Sequence, residues 1–332
     1  MQPSPDQQHL SRIADTVFRP IFILGDHRSG TTLFYDMLGR TGAFNIVTAY
    51  HIIDYDRLLT NHIEGRTQQA KHELAQRFEA LGIARRRIDG VVVHPDLPEE
   101  YGFFLEPGNR LQPQTLERFS EGCRKIHYIS DPDRPLLLKN PWDYRHFEEV
   151  AGLFPEAPLL FIHRHPVEII NSRLRAARSQ LARKSEYAAL LSKRYERLFR
   201  RPVGLFFVRL LFSDFGGFGA RRTSRHVTRM ASHYSEHLSE LDDSRYREIR
   251  YEDLCLRPNQ TVEGVLDFLG LQARNPVDFT RLVARRPAQL LPEIERWLPR
   301  FAPRLEGYCE RFGYALGTEG SSSREDSSRR GA

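Results

Sequence analysis

The stretch Pro20-Ile21-Phe22-Ile23-Leu24-Gly25-Asp26-His27-Arg28-Ser29-Gly30-Thr31-Thr32-Leu33 decides the fold. Ile21 to Leu24 are apolar, and three of the four are β-branched or aromatic, the composition of a short buried strand. A tight polar loop follows, with Gly25 and Gly30 at its ends. Beyond it Leu33, Phe34, Met37 and Leu38 recur at the spacing of one helical face. A strand, a glycine-bounded turn and a helix N-terminus make an anion site, because unpaired backbone N–H groups and the positive end of the helix dipole both face the turn. Arg28 adds a planar fork of donors suited to phosphate or sulfate. The loop is not that of a nucleoside-triphosphatase. Gly25 and Gly30 keep the glycine spacing, but Thr31 stands where a lysine would grip the β- and γ-phosphates, so ATP hydrolysis is disfavoured.

Two more apolar runs end in charge. Residues 135–139 (PLLLK) lead into Asn140-Pro141, and residues 158–163 (PLLFIH) lead into Arg164-His165-Pro166. A helix is expected over about 146–154, and another from Pro166 through Ile169, Ile170 and Leu174. Continuous apolar strands separated by helical segments predict an α/β fold: a parallel sheet in three layers, with helices on both faces. Ligands of such sheets bind beyond the carboxyl ends of the strands. The Gly25 loop, Lys139 and Arg164 all fall at that end. Ser172 follows Arg164 by eight residues, on the next helix. A guanidinium and a hydroxyl held on rigid elements suit a terminal phosphate. Residues 91–105 carry two prolines and read as a loop, with the acid pair Glu99-Glu100 inside it. Later, 247–254 reads as a strand and turn, and 258–269 as a helix with Asn259 as its cap. Residues 275–304 read as irregular and proline-spaced, and a last helix ends near Phe312.

At 332 residues and 40% hydrophobic content the chain can bury a sizeable core. The expected organisation is a lead-in at 1–19, loose or short-helical, then one domain over 20–317. That domain includes a helical, basic insertion at 185–240 on the acceptor side. A polar tail at 318–332 is expected to be disordered. The net charge of +6 suits acidic ligands. Arg85-Arg86-Arg87 reads as a solvated basic turn. Cys123, Cys255 and Cys309 form neither a disulfide framework nor a zinc pattern. Met1 to Gln8 is polar, and no run of about eighteen apolar residues occurs, so a cytoplasmic setting is the expectation.

The loop R-S-G-T-T-L at 28–33 resembles the 5′-phosphosulfate loop of sulfotransferases, which use 3′-phosphoadenosine 5′-phosphosulfate (PAPS). Three further segments resemble the same family in the same order. They are Leu138-Lys139-Asn140-Pro141, Arg164-His165-Pro166 with Ser172, and Arg250-Tyr251-Glu252-Asp253-Leu254 followed by Pro258. The resemblance implies a P-loop NTPase-like sulfotransferase fold, PAPS as donor, and transfer of a sulfonate to a hydroxyl or amine without a metal. It assigns the donor to Gly25, His27, Arg28, Ser29, Gly30, Thr31 and Thr32, and its 3′-phosphate to Arg164 and Ser172. Lys139 and Arg28 would stabilise charge on the leaving phosphate. The 250–258 segment is expected to be structural. Arg28 stands where many cytosolic members carry lysine, and arginine is the form of carbohydrate-, tyrosine- and bacterial-type members. The K-T-H segment of the small-phenol enzymes is absent, since Asn140-Pro141 follow Lys139. The base is then sought on the 91–105 loop, where related enzymes carry a carboxylate: Glu100 first, Glu99 second, with His94 and His146 behind. His163 and His165 read as scaffold or nucleotide-shell residues.

The acceptor is not named by any motif; a glycan, a lipid-like molecule or a small hydroxylated molecule all fit. Between Arg200 and Arg229 lie seven arginines, one acid (Asp214) and five phenylalanines. This segment reads as a core helix with a glycine hinge, as an acceptor lid, or as a surface meeting anionic lipid. Two other classes compete. A P-loop kinase is opposed by Thr31 and by the lack of a clear magnesium carboxylate. A non-catalytic nucleotide-binding module is suggested by the charge alone, and no nucleic-acid motif or aromatic platform accompanies it.

Overall fold

A computed structural model describes residues 4–283 and 289–316. Five strands form one sheet: β1 (Pro20–Leu24), β2 (Asn45–Ile46), β3 (Leu136–Lys139), β4 (Leu159–His163) and β5 (Tyr246–Arg250), in the order β2-β3-β1-β4-β5. All four pairings are parallel, and Phe22 at the centre lies opposite Leu138 on one side and Leu159 on the other. Alternate residues face opposite ways along a strand. Phe22, Leu24, Leu138, Leu159 and Phe161 therefore join one core, while Ile21, Ile23, Leu137, Leu160 and Ile162 join the other. Helix α1 (Thr31–Arg40) and the helix Pro258–Phe268 cover the second face through Phe34, Leu38, Val262 and Leu266. Helices Leu116–Tyr128 and Phe147–Leu153 and helix α2 (Pro166–Ala182) cover the first. This is the expected three-layer α/β arrangement. Phe22, Ile23 and Leu24 are fully buried, and each such side chain contributes about 1.5–3 kcal/mol.

The strand order positions the site. After β1 the chain crosses to β2 at one edge, returns through β3 beside β1, then places β4 on the other side of β1. The loop 25–30 thus lies between the ends of β3 and β4, in the crevice where such sheets bind ligands.

Three local readings differ from the structure. The segment after β5 is a helix, Tyr251–Leu256, not a turn. Arg257 holds the N-cap position of the next helix, and Asn259 lies inside its first turn. There Asn259 ties in a later loop instead, accepting from the Phe279 amide at 2.8 Å and donating to Asp278 at 3.1 Å. Residues Pro292–Phe301 are helical: Pro292 opens the helix, and Ile294, Leu298 and Phe301 form a buried stripe. The lead-in, read as loose or short-helical, takes the second form: a 3₁₀ helix, Pro5–Ile13, docks it on the core. Its buried Asp6 accepts from the Leu59 and Thr60 amides and pairs with buried Lys125 at 3.1 Å. The tail expected at 318–332 lies outside the described residues.

Candidate active site

The loop after β1 is held from behind. A Cβ on Gly25 would lie 2.7 Å from the Ile162 carbonyl oxygen, so only glycine lets β1 and β4 approach this closely. Buried Asp26 folds the loop, accepting from the His27 amide at 2.7 Å and from Arg173, with His226 Nε2 at 3.6 Å. Burial would raise its pKa, but Arg173 and His226 outweigh that and hold its carboxyl below the ordinary range. Arg28 and Gly30 take positive φ, 76° and 102°, which turns the chain into α1. The amides of Arg28, Gly30, Thr31 and Thr32 donate to no acceptor among the described residues. They are the donor set an anion needs.

The expected donor residues do not all point the same way. The Ser29 hydroxyl turns inward, buried and without a hydrogen-bond partner, close to where a Gly25 Cβ would stand. His27 is half-buried, edge-on to Trp142, and its pKa is lowered to about 4 by desolvation and then by Arg173, so it is neutral. Thr31 and Thr32 line the open space on both sides of the loop.

On the β4 side the structure joins three residues expected to bind phosphate. Arg28 Nε donates to Ser172 Oγ at 3.0 Å, and Arg164 donates to the Arg28 carbonyl at 3.2 Å. Arg164 also lies over the Tyr251 ring at 4.5 Å and grips Glu168 through Nε and a terminal nitrogen, at 3.0 and 2.6 Å. Its fork is thus partly taken by Glu168, and its contact with the loop is to backbone. The segment after β5 braces this corner: Glu252 accepts from the His165 amide at 3.1 Å and from the Tyr314 hydroxyl at 2.9 Å. Tyr251 packs so close to Gly30 that a Cβ there would lie 2.3 Å from its ring.

On the β3 side Lys139 is fully buried. Its ammonium lies 2.6 Å from Glu100 Oε1 and 3.2 Å from Thr32 Oγ1. Burial alone would raise the Glu100 pKa, but Lys139 and then Arg86 overcome it and hold the carboxylate ionised well below its ordinary range. Glu99 is buried the other way, on Tyr187 at 2.7 Å and Arg86 at 3.2 Å. Burial, reinforced by the neighbouring Glu100 charge, pushes its pKa up. Arg86 is therefore not the solvated turn residue expected; it sits between Asp89 and Glu99 and is nearly buried. The sequence places Arg86 only in a basic turn and does not mark Tyr187, because their partners are distant in the chain.

The remaining histidines separate cleanly. His163 is scaffold: its Nδ1 meets the Tyr308 hydroxyl at 2.9 Å and its ring stacks on Phe312 at 4.1 Å. His165 caps α2, accepting from the Val167 amide at 3.2 Å. His94 lines the outer space beside the loop, while His146 does not line either space described next.

Two clefts meet at the loop. One, of about 460 Å³, is walled by Arg28, Gly30, Thr32, Arg40, Arg164 and Tyr251. That lies in the range of about 300–1,000 Å³ typical of small-molecule sites. The other, of about 290 Å³, is walled by Glu100, Phe103, Trp142, Tyr187, Leu191 and Tyr195. Arg28, Thr31, Thr32 and Asp89 line both.

A parallel α/β sheet with an anion loop after β1, a buried lysine at one neighbouring strand end and an arginine at the other defines a P-loop-like group-transfer fold. Comparison with known families narrows it: the sulfotransferase family profile matches residues 20–275, and the chain belongs to that family of enzymes, which transfer sulfonate groups. Among solved structures it is similar to sulfotransferase STF9 from Mycobacterium avium, at 16% identity and a TM-score of 0.65, over 94% of this chain and 81% of that one. It is also similar to sulfotransferase STF1 from Mycobacterium tuberculosis H37Rv, at 16% identity and a TM-score of 0.55, over 92% and 79%. At these identities the likeness is one of fold. A search of curated protein sequences returned no match.

Proposed function

We propose that this enzyme moves a sulfonate from PAPS to a hydroxyl of an amphiphilic, lipid-like acceptor. The carrying observation is that the two clefts share Thr31 and Thr32, and that buried Lys139 bridges Thr32 to Glu100 on the wall of the second. In this reading the donor occupies the first cleft. Its phosphosulfate lies on the loop amides and its 3′-phosphate near Arg28 and Ser172, with Arg164 fixing the loop backbone beside them. The acceptor enters the second cleft, whose aromatic and aliphatic wall of Phe103, Trp142, Leu191 and Tyr195 suits an apolar body with a polar end.

Sulfonate transfer, like phosphoryl transfer, is governed by in-line positioning and charge stabilisation. The acceptor oxygen bonds to sulfur as its proton passes to Glu100. The bond from sulfur to the 5′-phosphate oxygen breaks, and 3′-phosphoadenosine 5′-phosphate (PAP) leaves with the electron pair. Lys139 and the loop amides stabilise the charge on that leaving oxygen. The Lys139–Glu100 pair links the two events. When the donor's charge draws the ammonium away, the interaction that depresses the Glu100 pKa weakens and its proton affinity rises. Radiolabelled PAPS offered with a panel of long-chain alcohols, sterols, glycolipids and simple sugars tests the reading. Label in an organic-soluble product with release of PAP is expected. Label confined to sugars would overturn the acceptor class, and tight PAP binding without transfer to anything would overturn the reaction.

A further inference from the structure

Helix α3 (Pro202–Phe212) is apolar along its length, yet only Leu205 is buried. Val203, Phe206, Phe207, Leu210 and Leu211 are exposed, the two phenylalanines at 61% each. Phe215 and Phe218 carry the patch across the turn into helix α4 (Phe218–His237). This spur is fixed outward. Arg178 donates to the Phe212 carbonyl at 2.7 Å, and Arg209 donates to the carbonyls of Leu181 and Ala182 at 2.8 and 3.1 Å, so the last turn of α3 is tied to α2. Among the described residues no single helix is long and apolar enough to cross a membrane; only the pair Pro202–Phe212 and Phe215–Glu240, bent by 83°, passes that test together.

At the foot of the spur lies a cleft of about 690 Å³, lined by Arg145, Arg173, Arg221, Arg222, Arg225 and Arg229. Phe212 and Phe218 form its rim towards the patch. Arg222, Arg225 and Arg229 fall at helical spacing along one side of α4, where like charges repel. Arg173 is satisfied by Asp26. Among the described residues the side chains of Arg145, Arg222, Arg225 and Arg229 have no ion pair or hydrogen bond, and no acidic side chain lines the cleft. Unneutralised cations concentrated in one concavity mark an anionic ligand.

We propose that the spur and the arginine cleft together dock the enzyme on a bilayer containing anionic phospholipid. Headgroup phosphates enter the cleft, and Phe206, Phe207 and their neighbours enter the boundary between headgroups and acyl chains. Two other occupants fit less well. A soluble polyanion would neutralise the arginines but leave the aromatic spur in water. A second copy of the chain, packed symmetrically, would bring the same arginines face to face. The acceptor cleft gains from this placement, because the two helices that carry its wall residues Tyr187, Leu191 and Tyr195, Glu186–Leu191 and Lys193–Phe199, immediately precede α3 in the chain. The inference goes beyond the proposed reaction and does not rest on it, since docking needs no donor.

Flotation of the full chain with vesicles tests it. Phosphatidylcholine vesicles carrying phosphatidylglycerol should retain the protein, phosphatidylcholine alone should not, and retention should fall as salt rises. Replacing Arg222 and Arg225 by Gln should weaken partition by roughly fivefold per arginine. The double variant F206S/F207S should lose retention while keeping wild-type Tm and PAP affinity. In F207W, emission should shift to the blue only with the anionic vesicles. Equal binding to both vesicle types, no binding to either, or capture by soluble heparin or nucleic acid without vesicle retention would overturn the proposal. So would a concentration-dependent dimer that F206S/F207S abolishes.

Discussion

Replacing Glu100 by Gln removes the counter-charge of a buried ammonium and, in the proposed mechanism, the base. The Lys139 side chain is fully buried and its nitrogen lies 2.6 Å from the Glu100 carboxylate. At an effective dielectric of about 20, that attraction is roughly 6 kcal/mol before desolvation is counted. Breaking such a pair by removing one partner costs about 3–5 kcal/mol, because the other charge stays buried. Gln keeps an acceptor oxygen near Lys139, so the lower end, about 3 kcal/mol, is expected. At about 2–4 °C per kcal/mol for domains of 150–250 residues, Tm should fall by roughly 6–12 °C. Because the Glu100 pKa is depressed, its stabilisation is fully present above the ordinary glutamate range. It is lost as pH falls towards the depressed value. E100Q should therefore flatten the acid limb of a stability–pH curve. The catalytic arm is separate: kcat should fall by about 10²–10⁴, the range of a lost general base, while PAP affinity holds or rises as Lys139 gains a free charge to offer. Differential scanning fluorimetry and steady-state kinetics with labelled PAPS read both arms. Wild-type kcat in a folded E100Q would refute Glu100 as base. An unchanged Tm and acid limb would refute the buried pair.

Three further outcomes follow from the same geometry. Gly30→Ala places a methyl 2.3 Å from the Tyr251 ring at a backbone φ of 102°; about 1–3 kcal/mol of strain should appear as lost stability in urea titrations and as weaker PAP binding. Ser172→Ala removes the acceptor of the Arg28 Nε bond; since hydrogen bonds to charged groups are worth about 1.5–3 kcal/mol, the preference for PAP over AMP in calorimetry should drop about tenfold or more. Glu99 is pushed up by burial and by Glu100, so ionising it works against folding. Stability should decline as pH rises from the ordinary glutamate range through the raised value, and Glu99→Gln should remove that decline in urea denaturation.

The central strand and its loop were legible because the signal is local and continuous. Four apolar residues, two spaced glycines and a helical stripe lie within twenty residues of each other. Lys139 and Arg164 were legible for a related reason: each ends an apolar run, and the ends of parallel strands share one edge of the sheet. What was not legible depends on contacts between distant segments. Arg86 has the same local sequence context as Arg85 and Arg87, and only the fold brings Glu99 and the Tyr187 helix to it. The inward turn of Ser29 follows from how closely β4 passes Gly25, which no spacing records. The helix Pro292–Phe301 could have been found, since Ile294, Leu298 and Phe301 keep helical spacing. Its two prolines, one in the tolerated first position, hid the pattern.

In the proposed reaction the loop, Arg28 and Ser172 form a site for a nucleotide bearing a 3′-phosphate. Thermal stabilisation by PAP, set against AMP and against ATP with magnesium at equal concentrations, tests it most directly. A ligand at a hundred times its Kd contributes about 2.7 kcal/mol, so PAP should raise Tm by roughly 5–10 °C. AMP and ATP should do much less. Stabilisation by ATP with magnesium and none by PAP would contradict the claim and point to a kinase instead.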